Sequence, residues 1–157
     1  MADDNEVTLT IDGKSVTTPK GSVVVDAAKS IGIEIPVFCY HEKLGPFGCC
    51  RMCLVEVEKM PKLTTACTLQ VAPDMVVKTN TPNVEKAQKG VLEFTLLNHP
   101  LDCPVCDKGG ECPLQNNTFK YGPGDTRMEF ERANRDKATP LSPVITIDRE
   151  RCIACQR

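Results

Sequence analysis

Cys39-Tyr-His-Glu-Lys-Leu-Gly-Pro-Phe-Gly-Cys49-Cys50-Arg-Met-Cys53 is the stretch whose reading decides the fold. Four thiols sit in one glycine-bearing loop, and Cys67 follows on what reads as the next strand. Three cysteines in a loop, the last two as Cys-x-x-Cys, with a distant fourth, is the plan of plant-type [2Fe-2S] sites, and Cys50, Cys53 and Cys67 fit it. Cys39 departs from that plan: ten residues separate it from Cys50, where the plant-type loop has four. The longer loop has to be folded back by Gly45, Pro46 and Gly48, and glycine lets backbone amides approach sulfur with no Cβ in the way.

The residues around this loop read as a small mixed sheet carrying one helix. Val7, Leu9 and Ile11 alternate with Thr8 and Thr10, and Asp12-Gly13 is the dipeptide favoured in a two-residue hairpin turn before a second strand over Lys14 to Thr18. Ser22 is placed to cap a short helix in which Val24, Ala27, Ala28 and Ile31 recur at helical spacing, and Gly32 stops it. Leu54 to Glu58 and Val76 to Thr79 read as further strands, with Pro61 and Pro73 in the connections.

A second donor set follows in His99-Pro-Leu-Asp-Cys103-Pro-Val-Cys106-Asp-Lys-Gly-Gly-Glu-Cys112. Four converging soft ligands suit either tetrahedral zinc or a cubane iron-sulfur cluster. Structural zinc usually draws two separated pairs, whereas three of these cysteines crowd one loop with His99 four residues upstream, which favours iron-sulfur. Thr81 is suited to cap the preceding helix, with Pro82 first, Glu85 in the first turn, and Val84, Ala87, Val91 and Phe94 or Thr95 as its apolar stripe. Pro100 disfavours helical geometry at His99, so the helix is expected to end there and release the imidazole.

Ten cysteines in 157 residues would also suit a secreted disulfide scaffold, but the start, Met-Ala-Asp-Asp-Asn-Glu, has no basic region and no apolar run, so no export is expected. Adjacent Cys49-Cys50 and the Cys-x-x-Cys pairs are awkward to bridge and natural for ligation. No apolar segment approaches the roughly 18 residues of a membrane span, and the net charge of −2 arises from interspersed signs. Neither membrane insertion nor nucleic-acid binding is expected. From Lys120 to Ser142 the chain reads as an irregular, charged connection, and Val144, Ile145 and Ile147 as a short apolar strand leading to Cys152-Ile-Ala-Cys155. Two ligands do not close a site, so these thiols are expected to be idle and reactive, on a mobile segment with little to pack against.

The runs "FCYHEKLGPFGCCRMCLVEVE" and "EFTLLNHPLDCPVCDKGGECPLQ" resemble the amino-terminal part of the large iron-sulfur subunit, the G subunit, of bacterial NADH-quinone oxidoreductase, respiratory complex I. The resemblance covers Glu6 to Arg157. It implies an α+β chain: a β-grasp ferredoxin-like [2Fe-2S] domain over 1–80, a small helix-plus-loop His/Cys [4Fe-4S] domain over 81–121, and over 122–157 a connection with the incomplete start of a further [4Fe-4S] segment. It implies that Cys39, Cys50, Cys53 and Cys67 hold [2Fe-2S], that His99, Cys103, Cys106 and Cys112 hold [4Fe-4S], and that Cys152 and Cys155 match two ligands of another [4Fe-4S] cluster found in a longer chain. No glycine-rich dinucleotide fingerprint precedes a helix, so nicotinamide and flavin are expected on a partner subunit. The implied function is an oxidoreductase subunit relaying electrons from that flavin-bearing partner, through other iron-sulfur subunits, toward quinone. It would be peripheral on the cytoplasmic side of the inner membrane. A subunit of an NAD-reducing hydrogenase or formate dehydrogenase would share these modules, and a zinc-stabilised interaction module is the non-redox alternative.

Other residues have plainer readings. Cys49 matches no ligand position and reads as a packed or idle thiol, and His41 as a solvated loop residue. Arg51 and Lys108 are placed to offset cluster charge, while the charges from Arg127 to Lys137 read as solvated surface.

Overall fold

The computed structural model describes residues 5–137 and 139–157. The start Met1 to Asp4, read above for export, and Ala138 lie outside them. The described residues belong to two compact units, one running to Gln88 with Gln156 and Arg157, the other Lys89–Cys155.

The first unit is built on the hairpin that the alternation specifies. Strands β1 (Glu6–Ile11) and β2 (Lys14–Pro19) pair antiparallel from Glu6 opposite Pro19 to Ile11 opposite Lys14. Asp12 and Gly13 both take positive φ, +47° and +79°, the two left-handed positions that a type I′ turn requires. Because side chains alternate across a strand, Val7, Leu9, Ile11 and Val16 all fall on one face and are buried. Strands β3 (Tyr40–His41) and β4 (Gly45–Pro46) pair antiparallel with each other as a separate ribbon, while beside β1 lies β7 (Val76–Lys78), parallel to it, then β5 (Leu54–Val57) and β6 (Thr64–Thr65), both pairs antiparallel. The sheet order is β2-β1-β7-β5-β6. Helix α1 (Val24–Ser30) covers the buried face with Val24, Val25, Ala27 and Ala28, which join Val55, Val57 and Val77 in one apolar core.

Ser22 does not cap α1. Val23 is the N-cap residue, while the Ser22 hydroxyl accepts from Thr18 Oγ1 at 3.2 Å and its carbonyl from the Val71 amide at 2.9 Å. Tertiary pairing with the 69–71 segment thus outweighs a local cap. The helix stops as expected, with Gly32 at φ +76°. Its amide reaches Lys29 O, and the Ile33 amide reaches Ala28 O.

Helix α2 (Pro82–Leu96) begins at the expected cap: Thr81 Oγ1 accepts from the Val84 amide at 3.3 Å. Its most buried face is Val84, Gln88 and Leu92, flanked by half-buried Ala87, Val91 and Thr95. Phe94, one of the residues proposed for the stripe, is 80% exposed; 10 residues beyond Val84, it has rotated off a face that recurs at 3.6 residues per turn. The helix also ends three residues before His99, with a turn at Leu97 and Asn98.

Two elements differ from the sequence reading beyond this point. A third helix, α3 (Pro113–Tyr121), starts directly after Cys112 with Pro113 in its first turn. The expected strand over Val144 to Ile147 shrinks to β9 (Thr146–Ile147), paired with β8 (Thr139–Pro140). Val144 and Ile145 are 89% and 56% exposed, because two residue pairs form no sheet face on which they could be covered.

Candidate metal centres

In the first unit the sheet and α1 hold a thiol cluster from one side. Cys53 precedes β5 and Cys67 follows β6, so the antiparallel pairing of these strands brings the two together; both are buried, with Cys39, while Cys50 is half-buried. Tyr40 anchors the start of the loop by donating its buried hydroxyl to the Asp26 carboxylate on α1 at 2.6 Å, and burial followed by that bond pushes its phenol far up. Gly45 and Gly48 turn the loop back with φ +75° and +73°.

The thiols are within electrostatic reach of one another. Burial pushes Cys39 up, but the Cys50 amide, which donates to its Sγ at 3.4 Å, and the Cys50 and Cys49 groups beside it bring it below the ordinary value. Cys50 is pushed up chiefly by burial. Cys53 falls to about 7, because it accepts a hydrogen bond from Cys67. Cys67 is driven up by that bond, by burial, and by the charges of Cys53, Cys39 and Cys50. The mutual repulsion of these groups opposes ionising all four thiols together, and a further positive charge would favour it. Iron in a thiolate-ligated cluster supplies that charge. Cys49 is exposed and lies beside Cys39, and His41 is exposed, accepting at Nδ1 from the Lys43 amide at 3.1 Å.

In the second unit the four donors His99, Cys103, Cys106 and Cys112 line one cavity of about 180 Å³. Chain geometry explains the convergence. His99 leaves the end of α2, a 3₁₀ turn over Cys103–Val105 carries Cys103 past Pro104, and Cys112 is the N-cap residue of α3. The α3 residues Leu114, Gln115 and Thr118 close the far wall, and Gln115 Oε1 accepts from the Gly110 amide at 3.2 Å, which fixes the loop. The cavity is well above the roughly 30 Å³ share of a single water in liquid. Donors standing around a space fit a multi-iron cluster; donors closed on a point would fit zinc. Burial, then Arg132, pulls the His99 imidazole below its usual value, toward the neutral form that ligates metal.

Two of the charges read from sequence as solvated surface, Arg132 and Lys137, are tied to this site, while Glu129, Glu131, Arg135 and Asp136 are exposed. Arg127 pairs with Glu93, Arg132 donates to the His99 carbonyl, and Lys137 pairs with Asp102 and, at 3.1 Å, with Glu150. Arg151 donates to Asp102 at 3.0 Å, lies 3.1 Å from Asp148 and lines the donor cavity. The segment after Pro140 is thus held to the residue next to Cys103 and does not lack packing partners. Cys152 is exposed and Cys155 half-buried, and neither is among the residues lining that cavity. Lys108 is engaged by Glu111 at 3.0 Å and Arg51 is exposed; Arg151 lines the donor cavity and Arg132 acts on His99, and the sequence reading missed both.

Gly109 is required by close approach: a Cβ there would meet the Cys103 and Cys106 carbonyl oxygens at 3.0 and 3.1 Å. Because both neighbours are backbone, Gly109→Ala should spread the loop and lower the iron retained by the second unit several-fold, leaving the first unit's iron unchanged. Iron and sulfide assays of the reconstituted variant check this, and equal retention at both sites would refute it.

Two cysteine-rich donor sets of this chemistry define an iron-sulfur protein. The chain belongs to the 2Fe-2S iron-sulfur cluster binding domain family, which matches residues 4–82. Residues 88–127 match the NADH-ubiquinone oxidoreductase-G iron-sulfur binding region. The chain is 53% identical over 153 residues to the NADH-quinone oxidoreductase G subunit of Streptomyces coelicolor, covering 96% of this chain and 18% of that protein. It is likewise 53% identical over 156 residues to the mitochondrial NADH-ubiquinone oxidoreductase 78 kDa subunit of Neurospora crassa, covering 97% of this chain and 21% of that protein. The chain therefore spans about a fifth of the length of these curated relatives. Among solved structures, an NAD+-reducing [NiFe]-hydrogenase in the H2-reduced state superposes with a TM-score of 0.83 at 29% identity, over 95% of this chain and 62% of that chain. The resemblance to the large iron-sulfur subunit, the α+β iron-sulfur class and the [2Fe-2S] and [4Fe-4S] cofactors are all borne out by these matches. No helix among the described residues is long and apolar enough to cross a membrane.

Proposed function

We propose that this chain is an electron-relay module of an NADH-quinone oxidoreductase. The observation that carries the reading is the placing of His99, Cys103, Cys106 and Cys112 around one cavity in the second unit, with Cys39, Cys50, Cys53 and Cys67 in mutual reach in the first. In this reading residues 1–80 are a β-grasp ferredoxin-like domain whose four cysteines hold [2Fe-2S]. Residues 81–121 hold [4Fe-4S] through His99 and three cysteines. Residues 122–157 connect to a further [4Fe-4S] segment to which Cys152 and Cys155 contribute.

When bound, such clusters take up and pass on one electron at a time. The chain's own residues bind, shield and bias. Burial of Cys39, Cys53 and Cys67 excludes water from the first set. His99 brings a neutral donor where a thiolate would add negative charge, which by itself favours the reduced state. Arg151 lines the same cavity, aligned by Asp102 and Asp148, whose carboxylates offset its charge. The partners in this reading are a flavin- and NADH-binding subunit that donates electrons and further iron-sulfur subunits leading to quinone, at the cytoplasmic face of the inner membrane. The superposable hydrogenase chain supports shared modules across oxidoreductases, and the higher identity to the quinone-reductase relatives favours the latter.

Anaerobic reconstitution tests the reading. The brown chain should hold about six irons with matching acid-labile sulfide, one [2Fe-2S] and one [4Fe-4S], and show two spin-resonance signals on reduction. A colourless chain with stoichiometric zinc and no sulfide would defeat it.

A further inference from the structure

Thr118 is a half-buried residue of α3, and its hydroxyl oxygen is buried with no hydrogen-bond partner among the described residues. Such an orphan costs free energy and calls for a partner. A threonine within a helix ordinarily solves the problem by donating to the carbonyl four residues back. Thr95 does so in α2, reaching Val91 O at 2.8 Å. Thr118 does not, although Leu114 O is the equivalent acceptor, and Thr118 lines the cavity formed by His99, Cys103, Cys106 and Cys112.

Three features converge on this side chain. It stands one helical turn beyond Leu114, on the face of α3 that closes the cavity. Its neighbour Gln115 has its side-chain amide oxygen engaged by the Gly110 amide. Phe119, the next residue, also lines the cavity but is 85% exposed, whereas the Thr118 hydroxyl oxygen is buried. We infer that the Thr118 hydroxyl is a positioning and potential-setting donor to a sulfur of the group held by His99, Cys103, Cys106 and Cys112. This inference rests on the electron-relay reading and adds a residue to it. The hydroxyl keeps its proton throughout. An added electron makes sulfur the better acceptor, so the bond strengthens on reduction and raises the midpoint potential.

The test compares wild type, Thr118→Val and Thr118→Ser in the anaerobically reconstituted 157-residue chain, following the reduced [4Fe-4S] spin-resonance signal against solution potential. Valine keeps the shape and removes the hydroxyl; serine restores it. Thr118→Val should lower the reduced-to-oxidised ratio at a fixed potential about tenfold, a midpoint about 59 mV lower for a one-electron couple, while Thr118→Ser stays near wild type and the [2Fe-2S] signal stays fixed. Cluster loss from the valine variant with retention in the serine variant would also support the hydroxyl. An unchanged midpoint in Thr118→Val, an equal shift in both variants, or cluster loss from both would overturn the inference. A wild-type chain that takes up zinc without sulfide would bring down the relay reading and this inference together, whereas a fully loaded wild type indifferent to Thr118→Val fails the inference alone.

Discussion

His99→Ala should empty the second site and leave the first intact: iron per reconstituted chain should fall from about six to about two, with the [4Fe-4S] signal lost and the [2Fe-2S] signal unchanged. The expectation follows from how the donors are distributed. His99, Cys103, Cys106 and Cys112 belong to the Lys89–Cys155 unit, and Cys39, Cys50, Cys53 and Cys67 to the other. Alanine cannot donate, and it leaves one wall of the cavity open to water at the end of α2. His99→Cys restores a donor and should retain a cluster, at a lower potential because a thiolate replaces a neutral imidazole. Disappearance of both signals from a soluble His99→Ala chain would show that the two donor sets are not independent.

Phe38→Ala should be the most damaging change in the first unit, costing about 3–5 kcal/mol of stability, the range for truncating a buried aromatic. Phe38 is among the largest fully buried side chains, 2% exposed, and it immediately precedes Cys39. Its amide is one of the backbone donors to the Cys50 sulfur, partly opposing the rise that burial causes there, so the cavity left behind would also loosen the loop that presents both thiols. The variant should lose most of its [2Fe-2S] iron under conditions where wild type keeps it, and Phe38→Leu, which refills part of the volume, should lie between. Denaturant titration of the metal-free chains by circular dichroism gives the stability difference; a change under about 1 kcal/mol would mean that Phe38 is not a packing anchor.

Much of this was legible because it is local. The alternation of Val7, Leu9 and Ile11 with the Asp12-Gly13 turn specifies the hairpin and its register, since a slip by one residue would expose the whole apolar set. Thr81-Pro82 marks the start of α2 because a capping oxygen and a fixed φ act within one turn. Helix α3 was missed although Pro113 at its start and Gly122-Pro123 at its end punctuate it; its stripe is short, with Leu114 its buried residue, and nine residues give periodicity little to work on. The Ser22 cap failed because pairing with the distant 69–71 segment decided it, and the Val144 to Ile147 strand because its two residue pairs with β8 make no sheet face.

By itself the sequence determined the donor types and their spacing, and so narrowed the chemistry to iron-sulfur or zinc with spacing favouring the first, because a cysteine or histidine ligates by virtue of its own atoms and short loops dictate which of them can converge. Only the tertiary structure decided which other groups face those donors. Asp102 meets Lys137 and Arg151, 35 and 49 residues away, and Thr118, whose buried hydroxyl has no partner among the described residues, lines the His99 cavity. Those juxtapositions depend on how the chain folds back on itself, and charge and polarity along a sequence carry no record of what they will face.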